Sequence, residues 1–264
     1  MKKGKFLISV LVILSVISFS ACGLKETTGS LSDKNLSKKK MSWGLKKNEG
    51  KAPDINPGEN ELLAAYDGIY LGDTSTKSIY LTFDEGYENG YTSQILDTLK
   101  KHNVPACFFV TGPYLEKETE LILRMVEEGH DVGNHTVNHP SMSSLTEEEL
   151  ELELIELERV FFETTGKTMK FLRPPMGEHS EKSMYVSKKL GYKTVFWSIA
   201  YEDWNVDKQP SVDYVIKSVM DNLHPGAIIL MHAVSSANTE ALESVILKAK
   251  KQGYTFKSLT TLDF

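Results

Sequence analysis

A chain of 264 residues, 25% of them charged and 41% hydrophobic, has the length and balance of one large α/β domain or two small ones. The formal charge is −6, but the first five residues carry +3 and residues 24–51 carry +5, so residues 52–264 carry −14, which argues against nucleic acid as a partner. Cys22 and Cys107 are the only cysteines, which excludes a disulfide framework; Cys107, within the apolar run Ala106-Cys107-Phe108-Phe109-Val110, is expected to be a buried, inert thiol.

The chain opens Met1-Lys2-Lys3-Gly4-Lys5 and then runs apolar to Phe19, a basic head and a short hydrophobic middle that resemble an export signal. Phe19-Ser20-Ala21-Cys22-Gly23 resembles a lipobox, in which small residues precede a cysteine that is acylated. Residues 1–22 are therefore expected to be a lipoprotein signal placing the protein on the outer face of the cytoplasmic membrane, against a plain cleaved signal or an uncleaved anchor. Residues 23–60 read as a flexible basic stalk suited to an anionic membrane surface, and residues 61–264 as the globular domain.

From there strand-like and helix-like runs alternate. The β-branched and aromatic run 78–83 predicts a strand, followed by a helix over 92–102, a strand over 106–111, a helix over 117–128 and a short strand over 130–133. Thr146-x-x-Glu149 is a capping box that starts a helix ending before Gly166. Strand 169–172, helix 180–190, strand 193–198, helix 212–223, strand 227–231, helix 239–252 and strand 254–257 complete the series. Gly129, Gly191 and Gly253 each end a helix and lead at once into a strand. Repeated β-then-α units predict parallel strands with helices outside, as an open sheet or a closed barrel.

In such an architecture the loops after strands gather at one end. Asp84 and Glu85 follow one strand, His135 and His139 a second, Arg173 a third, Asp203 and Trp204 a fourth, and His232 a fifth. Alone, each has an ordinary reading: a solvated acidic pair before Gly86, a surface arginine, a half-buried tryptophan, a satisfied structural histidine. Convergence gives them another. Two imidazoles four apart lie on one face if the segment makes a helical turn, within reach of one ion, and Asp84 or Glu85 could add an oxygen ligand. A guanidinium just past a strand could clamp a carboxylate.

The ordered set Thr82-Phe83-Asp84-Glu85-Gly86, His135-Thr136-x-x-His139-Pro140, Arg173-Pro174-Pro175-x-Gly177, Asp203-Trp204 and Leu230-Met231-His232 resembles the motifs of the polysaccharide deacetylases, the family 4 carbohydrate esterases or NodB-type domains. Within that family, Tyr70-Leu71-Gly72-Asp73-Thr74, 86–92 and 196–201 resemble the delta-lactam-biosynthetic de-N-acetylases of spore formers. The resemblance runs from about Tyr66 to Phe264. It implies a distorted (β/α) barrel that hydrolyses the N-acetyl group of N-acetylmuramic acid in peptidoglycan, on peptide-free strands, leading to the muramic delta-lactam of spore cortex.

By the same resemblance Asp84 is the general base, braced by Arg173; His232 is the general acid, tuned by Asp203; Met176 supplies an oxyanion N–H; Trp204 and Leu230 pack around sugar and acetyl methyl. His135, His139 and Glu85 would hold a divalent metal, zinc first, with cobalt or manganese as alternatives. Glu85 stands where most members have aspartate, and Ala200 where they have another acid. A deacetylase of another N-acetylated glycan and a non-catalytic wall-binding protein are the competing readings; oligomeric state is not read from the sequence.

Overall fold

The computed structural model describes residues 36–48 and 50–262, so the expected export signal and Cys22 lie outside the described residues. The centre is β5 (Ser78–Glu85), buried along its whole length. It is flanked by β6 (Ala106–Val110) and β11 (Ile228–His232), and the sheet continues from β6 through β7 (Asp131–Asn134), β8 (Phe171–Leu172) and β10 (Lys193–Val195) to β4 (Gly68–Ile69), while β12 (Thr255–Phe256) pairs with the start of β5. Every one of these pairings is parallel. Just beyond β10 the chain reaches across to β11 through an isolated parallel bridge, Ile199 to Ile229, with Leu230 N–H donating to Ile199 O at 2.9 Å. That bridge closes the curled sheet between the exit of β10 and β11, so the expected distorted (β/α) barrel is what forms.

Helices cover the outside: α2 (Thr92–His102), α3 (Gly112–Lys117), α4 (Thr119–Glu127), α5 (Glu147–Thr165), α6 (Glu181–Lys189), α7 (Val212–Met220) and α8 (Ser236–Lys251). The predicted 117–128 helix is two helices broken at Glu118, and its first part starts early because Pro113 sits comfortably in a first helical turn. The Thr146 capping box forms in both directions, Glu149 N–H to Thr146 Oγ1 at 3.2 Å and Thr146 N–H to Glu149 Oε2 at 2.8 Å. Gly129, Gly191 and Gly253 all adopt φ between 84° and 88°, the left-handed exits that glycine permits.

Strand alternation divides the core. Ile79, Leu81, Phe83, Phe108 and Val110 face the helices, whereas Tyr80, Cys107, Phe109, Phe171, Val195 and Ile228 fill the barrel. Cys107 is buried and free, and burial pushes its thiol pKa well up, as an inert thiol requires.

The flexible stalk expected over 23–60 needs correction from residue 36 onward. Residues 36–60 belong to the same compact unit as the barrel and form β1 (Met41–Ser42), β2 (Leu45–Asn48), β3 (Lys51–Ile55) and the start of α1 (Glu59–Ala65). β1 pairs antiparallel with β9 (Glu178–His179), directly after the Arg173-Pro-Pro loop. Trp43 is the anchor: its ring stacks on Phe196 at 4.4 Å between centroids and its Nε1–H donates to Trp197 O at 2.9 Å. The lysines of this strap are exposed, so the charge that suggested a solvated segment stays in water while a few apolar side chains do the packing.

Candidate active site

The C-terminal ends of the barrel strands open into a cavity of about 920 Å³ lined by Asp84, His135, His139, Met176, Leu230 and His232, with Trp204, Tyr87 and Ala200 toward its mouth. Parallel register brings these residues together: Asp84 lies opposite His232 on β11 and Phe109 on β6, while Asn134 and Leu172 pair immediately before His135 and Arg173.

Arg173 has no exposed surface. Its Nη1 donates to Asp84 Oδ1 at 2.8 Å, its Nε to Val195 O at 3.1 Å, and its guanidinium stacks over the Phe109 ring at 4.2 Å. Burial pulls the Asp84 pKa upward, but Arg173, followed by His135 and His232, more than offsets it and holds the carboxyl below its usual range. Asp84 is therefore ionised, with Oδ1 taken by Arg173 and Oδ2 turned to His135 Nε2 at 3.6 Å.

The His-x-x-x-His segment makes no helical turn. His135 follows β7 directly, and the loop doubles back through Thr136 and His139, both left-handed at φ 64° and 56°. Thr136 N–H donates to Asn134 Oδ1 and His139 N–H to Thr136 Oγ1, which fix this turn. The outcome is still a face of two imidazoles, 4.8 Å apart between centroids. His135 Nδ1–H donates to Arg173 O at 2.8 Å, which leaves Nε2 as the lone-pair nitrogen. Burial, opposed by Asp84, lowers the His135 pKa to about 4 and burial lowers that of His139, so both rings are neutral and able to ligate.

Glu85 does not join them. On β5 its register neighbours are Val110 and, beyond it, Asn134, whose Nδ2 donates to Leu154 O of α5, so this row faces the helices. Both Glu85 oxygens are buried without a hydrogen-bond partner, and burial, with the nearby Glu88 and Asp84 charges, raises its pKa well above the carboxylate range. Adjacent carboxylates on one strand must point to opposite faces, and that is why the pair divides. Among the described residues no cluster of three histidines, cysteines or acids assembles. The neutral imidazole pair of His135 and His139 is the donor set at the cavity that suits a divalent ion, with Asp84 Oδ2 3.6 Å from His135 Nε2.

His232 faces the cavity from the opposite wall. Its Nδ1–H donates to Asp203 Oδ1 at 2.7 Å and its backbone N–H to Asp203 Oδ2 at 2.9 Å. Burial pulls the His232 pKa down, but the Asp203 hydrogen bond and charge outweigh it and the net shift is upward. Trp204 packs edge-on against the His232 ring at 5.6 Å and is 55% exposed, an apolar face at the cavity mouth; Leu230, nearly buried, lies below. Asn238, which no sequence motif marks, completes this wall: its Nδ2 donates to Asp203 Oδ2 at 2.5 Å and to His232 O at 3.0 Å, while its Oδ1 accepts from Tyr201. An asparagine one turn into a helix carries no signal of such a role; only the fold reveals it.

By its match to the polysaccharide deacetylase family model and its 46% identity to a peptidoglycan deacetylase over 85% of its length, the chain belongs to the polysaccharide deacetylases of carbohydrate esterase family 4. The polysaccharide deacetylase family model matches residues 71–195. The chain is 46% identical over 226 residues to the peptidoglycan-N-acetylmuramic acid deacetylase PdaA of Bacillus subtilis strain 168, covering 85% of this chain and 86% of that protein. It superposes on the PdaA structure with a TM-score of 0.84 at 44% identity, over 86% of this chain and 98% of the other, and on a family 4 carbohydrate esterase from Bacillus anthracis with a TM-score of 0.74 at 41% identity over the same shares. Deacetylases of this family are metal-dependent.

Two outcomes follow from this geometry. Glu85→Gln will bind divalent metal with wild-type stoichiometry, whereas His135→Ala will lose it; metal content measured by atomic emission after dialysis separates them, and loss in the Glu85 variant would return that residue to the ligand set. Asp203→Asn removes the charge that raises the His232 pKa, so the alkaline limb of the pH–kcat profile, set by loss of the His232 proton, will move to lower pH. An unmoved limb would show that another group sets it.

Proposed function

We propose that this protein removes the N-acetyl group from N-acetylmuramic acid residues of peptidoglycan by hydrolysis, on strands freed of their stem peptide. The observation that carries this reading is Asp84: ionised, tied at one oxygen to a buried arginine, and open at the other toward two neutral imidazoles. PdaA, which the chain matches over 86% of that protein's length, is a peptidoglycan-N-acetylmuramic acid deacetylase, and this supports the muramic substrate.

Asp84 Oδ2 accepts a proton from water as the water oxygen attacks the acetyl carbonyl carbon. Arg173 keeps that carboxylate oriented and charged. His135 and His139 would hold a divalent ion, zinc by the preference of imidazole ligands, which would supply Lewis-acid polarisation of the carbonyl and acidification of the water. The negative oxygen of the tetrahedral species accepts a hydrogen bond from the Met176 N–H. His232, with Nδ1–H committed to Asp203, gives the proton of Nε2 to the amide nitrogen as the C–N bond breaks. Acetic acid leaves and loses its remaining proton to solvent as acetate, the amine stays on the sugar, Asp84 passes its proton to solvent and His232 takes one back, which restores both groups. Trp204 offers a stacking face for the sugar ring and Leu230 an apolar floor for the acetyl methyl. The freed amine of muramic acid then stands next to its own lactyl carboxyl, the two partners of the spore-cortex delta-lactam.

Acetate release from peptide-free muramyl glycan and from chitooligosaccharide, each with and without chelator, tests substrate and metal together. The muramic glycan will be turned over faster and chelation will suppress it; equal rates would widen the substrate to N-acetylated glycans at large. Asp84→Asn will lower kcat by about 10³-fold; it also leaves the buried Arg173 without its counter-charge, so the unfolding temperature will fall while the variant stays folded at the assay temperature.

The N-terminal sequence supports attachment through an acylated Cys22 on the outer face of the cytoplasmic membrane, with peptidoglycan within reach. Among the described residues no helix is long and apolar enough to cross a membrane. Cys22→Ser will shift the processed protein from the detergent phase to the aqueous phase; continued detergent partitioning would count against acylation.

A further inference from the structure

Met176 is held in a conformation that it does not favour. Its φ of 58° and ψ of 8° are left-handed, Gly177 follows at φ 65°, and left-handed backbone in a residue with a side chain persists only where the surroundings impose it. The imposition comes from outside the barrel, at the Gly177 carbonyl. That oxygen accepts from Trp43 N–H at 3.0 Å and from His179 Nδ1–H at 3.1 Å, while Gly177 N–H closes the turn on Pro174 O at 3.0 Å. A carbonyl can only accept, so Nδ1 of His179 is the donor. The other nitrogen, Nε2, lies 3.0 Å from Glu59 Oε2, and both side chains are sealed from water, His179 at 0% and Glu59 at 2% exposure. The ring is held further by Phe196, whose centroid lies 4.8 Å away.

Glu59 opens α1, on the strap that the sequence suggests is a solvated linker. A buried carboxylate and imidazole are costly to desolvate, and packing the strap does not need them: Trp43, Leu63 and Tyr66 already form its apolar seal on Phe196 and Met184. What the pair does fix is the orientation of one ring and, through it, one carbonyl in the turn that presents Met176 to the cavity.

We propose that Glu59 and His179 are positioning residues of the deacetylase. Glu59 orients His179, His179 holds the Gly177 carbonyl, and the turn so fixed aims the Met176 N–H at the tetrahedral oxygen. The inference rests on the deacetylase reading of the cavity and assigns a catalytic consequence to residues 36–60, which touch no reacting atom.

The test measures kcat and KM for acetate release by the full chain, with circular dichroism confirming the fold at the assay temperature. Glu59→Ala will lose about 10- to 100-fold in kcat, the scale of a displacement of about 1 Å at a reacting group, with KM within about twofold of wild type. Glu59→Gln, which keeps the contact to Nε2, will stay within about threefold. Leu63→Ala, which removes packing from the same helix without touching the relay, lowers the unfolding temperature but leaves kcat unchanged where the variant is folded. If Glu59→Ala does not fold, Glu59→Asp, one methylene short of the ring, provides the same comparison. A folded Glu59 variant without the contact that keeps wild-type kcat, or a loss shared equally by Leu63→Ala, overturns the proposal. If wild type releases no acetate, or Asp84→Asn releases it at the wild-type rate, the deacetylase reading has failed instead.

Discussion

The buried pair of Arg173 and Asp84 is the constraint that organises this molecule. A guanidinium with no exposed surface loses hydration worth several kcal/mol, and it recovers that only if its donors are met from several directions. Here they are: a carboxylate from β5, carbonyls of Val195 and Phe196 from β10 and its exit, and the face of Phe109 from β6. Three strands must therefore stand at one separation and one stagger for the charge to be tolerated. The same contacts fix the active site. Arg173 O orients His135, and Arg173 Nη1 leaves Asp84 a single free oxygen, so the interaction that makes the barrel interior polar also determines which atoms remain for chemistry.

The two walls of the cavity follow opposite electrostatic logic. On one, neutral imidazoles and an anionic carboxylate stand together, suited to taking a proton and holding an ion. On the other, Asp203 is buried behind His232 and raises its proton affinity, suited to giving a proton up. Both histidine environments are buried, and burial alone would discharge each ring; the difference is the carboxylate hydrogen-bonded directly to His232 Nδ1, where His135 Nδ1 meets a carbonyl. The two walls are thus set apart by the partners behind them, and Asn238 belongs among these because it donates to Asp203 Oδ2.

Much of this was legible in the sequence because the signals were local. Helix exits at Gly129, Gly191 and Gly253, the Thr146 box and the apolar runs of β5, β6 and β11 each depend on a few adjacent residues, and each formed. Convergence of Asp84, His135, His139, Arg173, Asp203 and His232 followed from parallel topology. What was not legible depended on face and on distant partners. Asp84 and Glu85 differ by one position, and one position on a strand reverses direction, so similarity to a pair of acids could not say that Glu85 turns to the helices. His135 and His139 meet through a left-handed loop that a spacing of four does not distinguish from a helix. The strap at 36–60 was hidden by its own lysines, since a charge count weighs every residue alike while packing depends on Trp43 and a few others.

That last point bears on how such a site is built. The strands deliver side chains whose positions the sheet register fixes, but an oxyanion donor is a backbone N–H in an irregular turn, and register cannot fix a turn. Something must hold it from the far side. Trp43 and His179 both donate to one carbonyl there, and His179 is in turn held by a carboxylate from α1, so this turn is secured by the segment that precedes the barrel in the chain. A strap that touches no substrate can then decide the rate, because a displaced donor costs the transition state more than it costs the bound ground state.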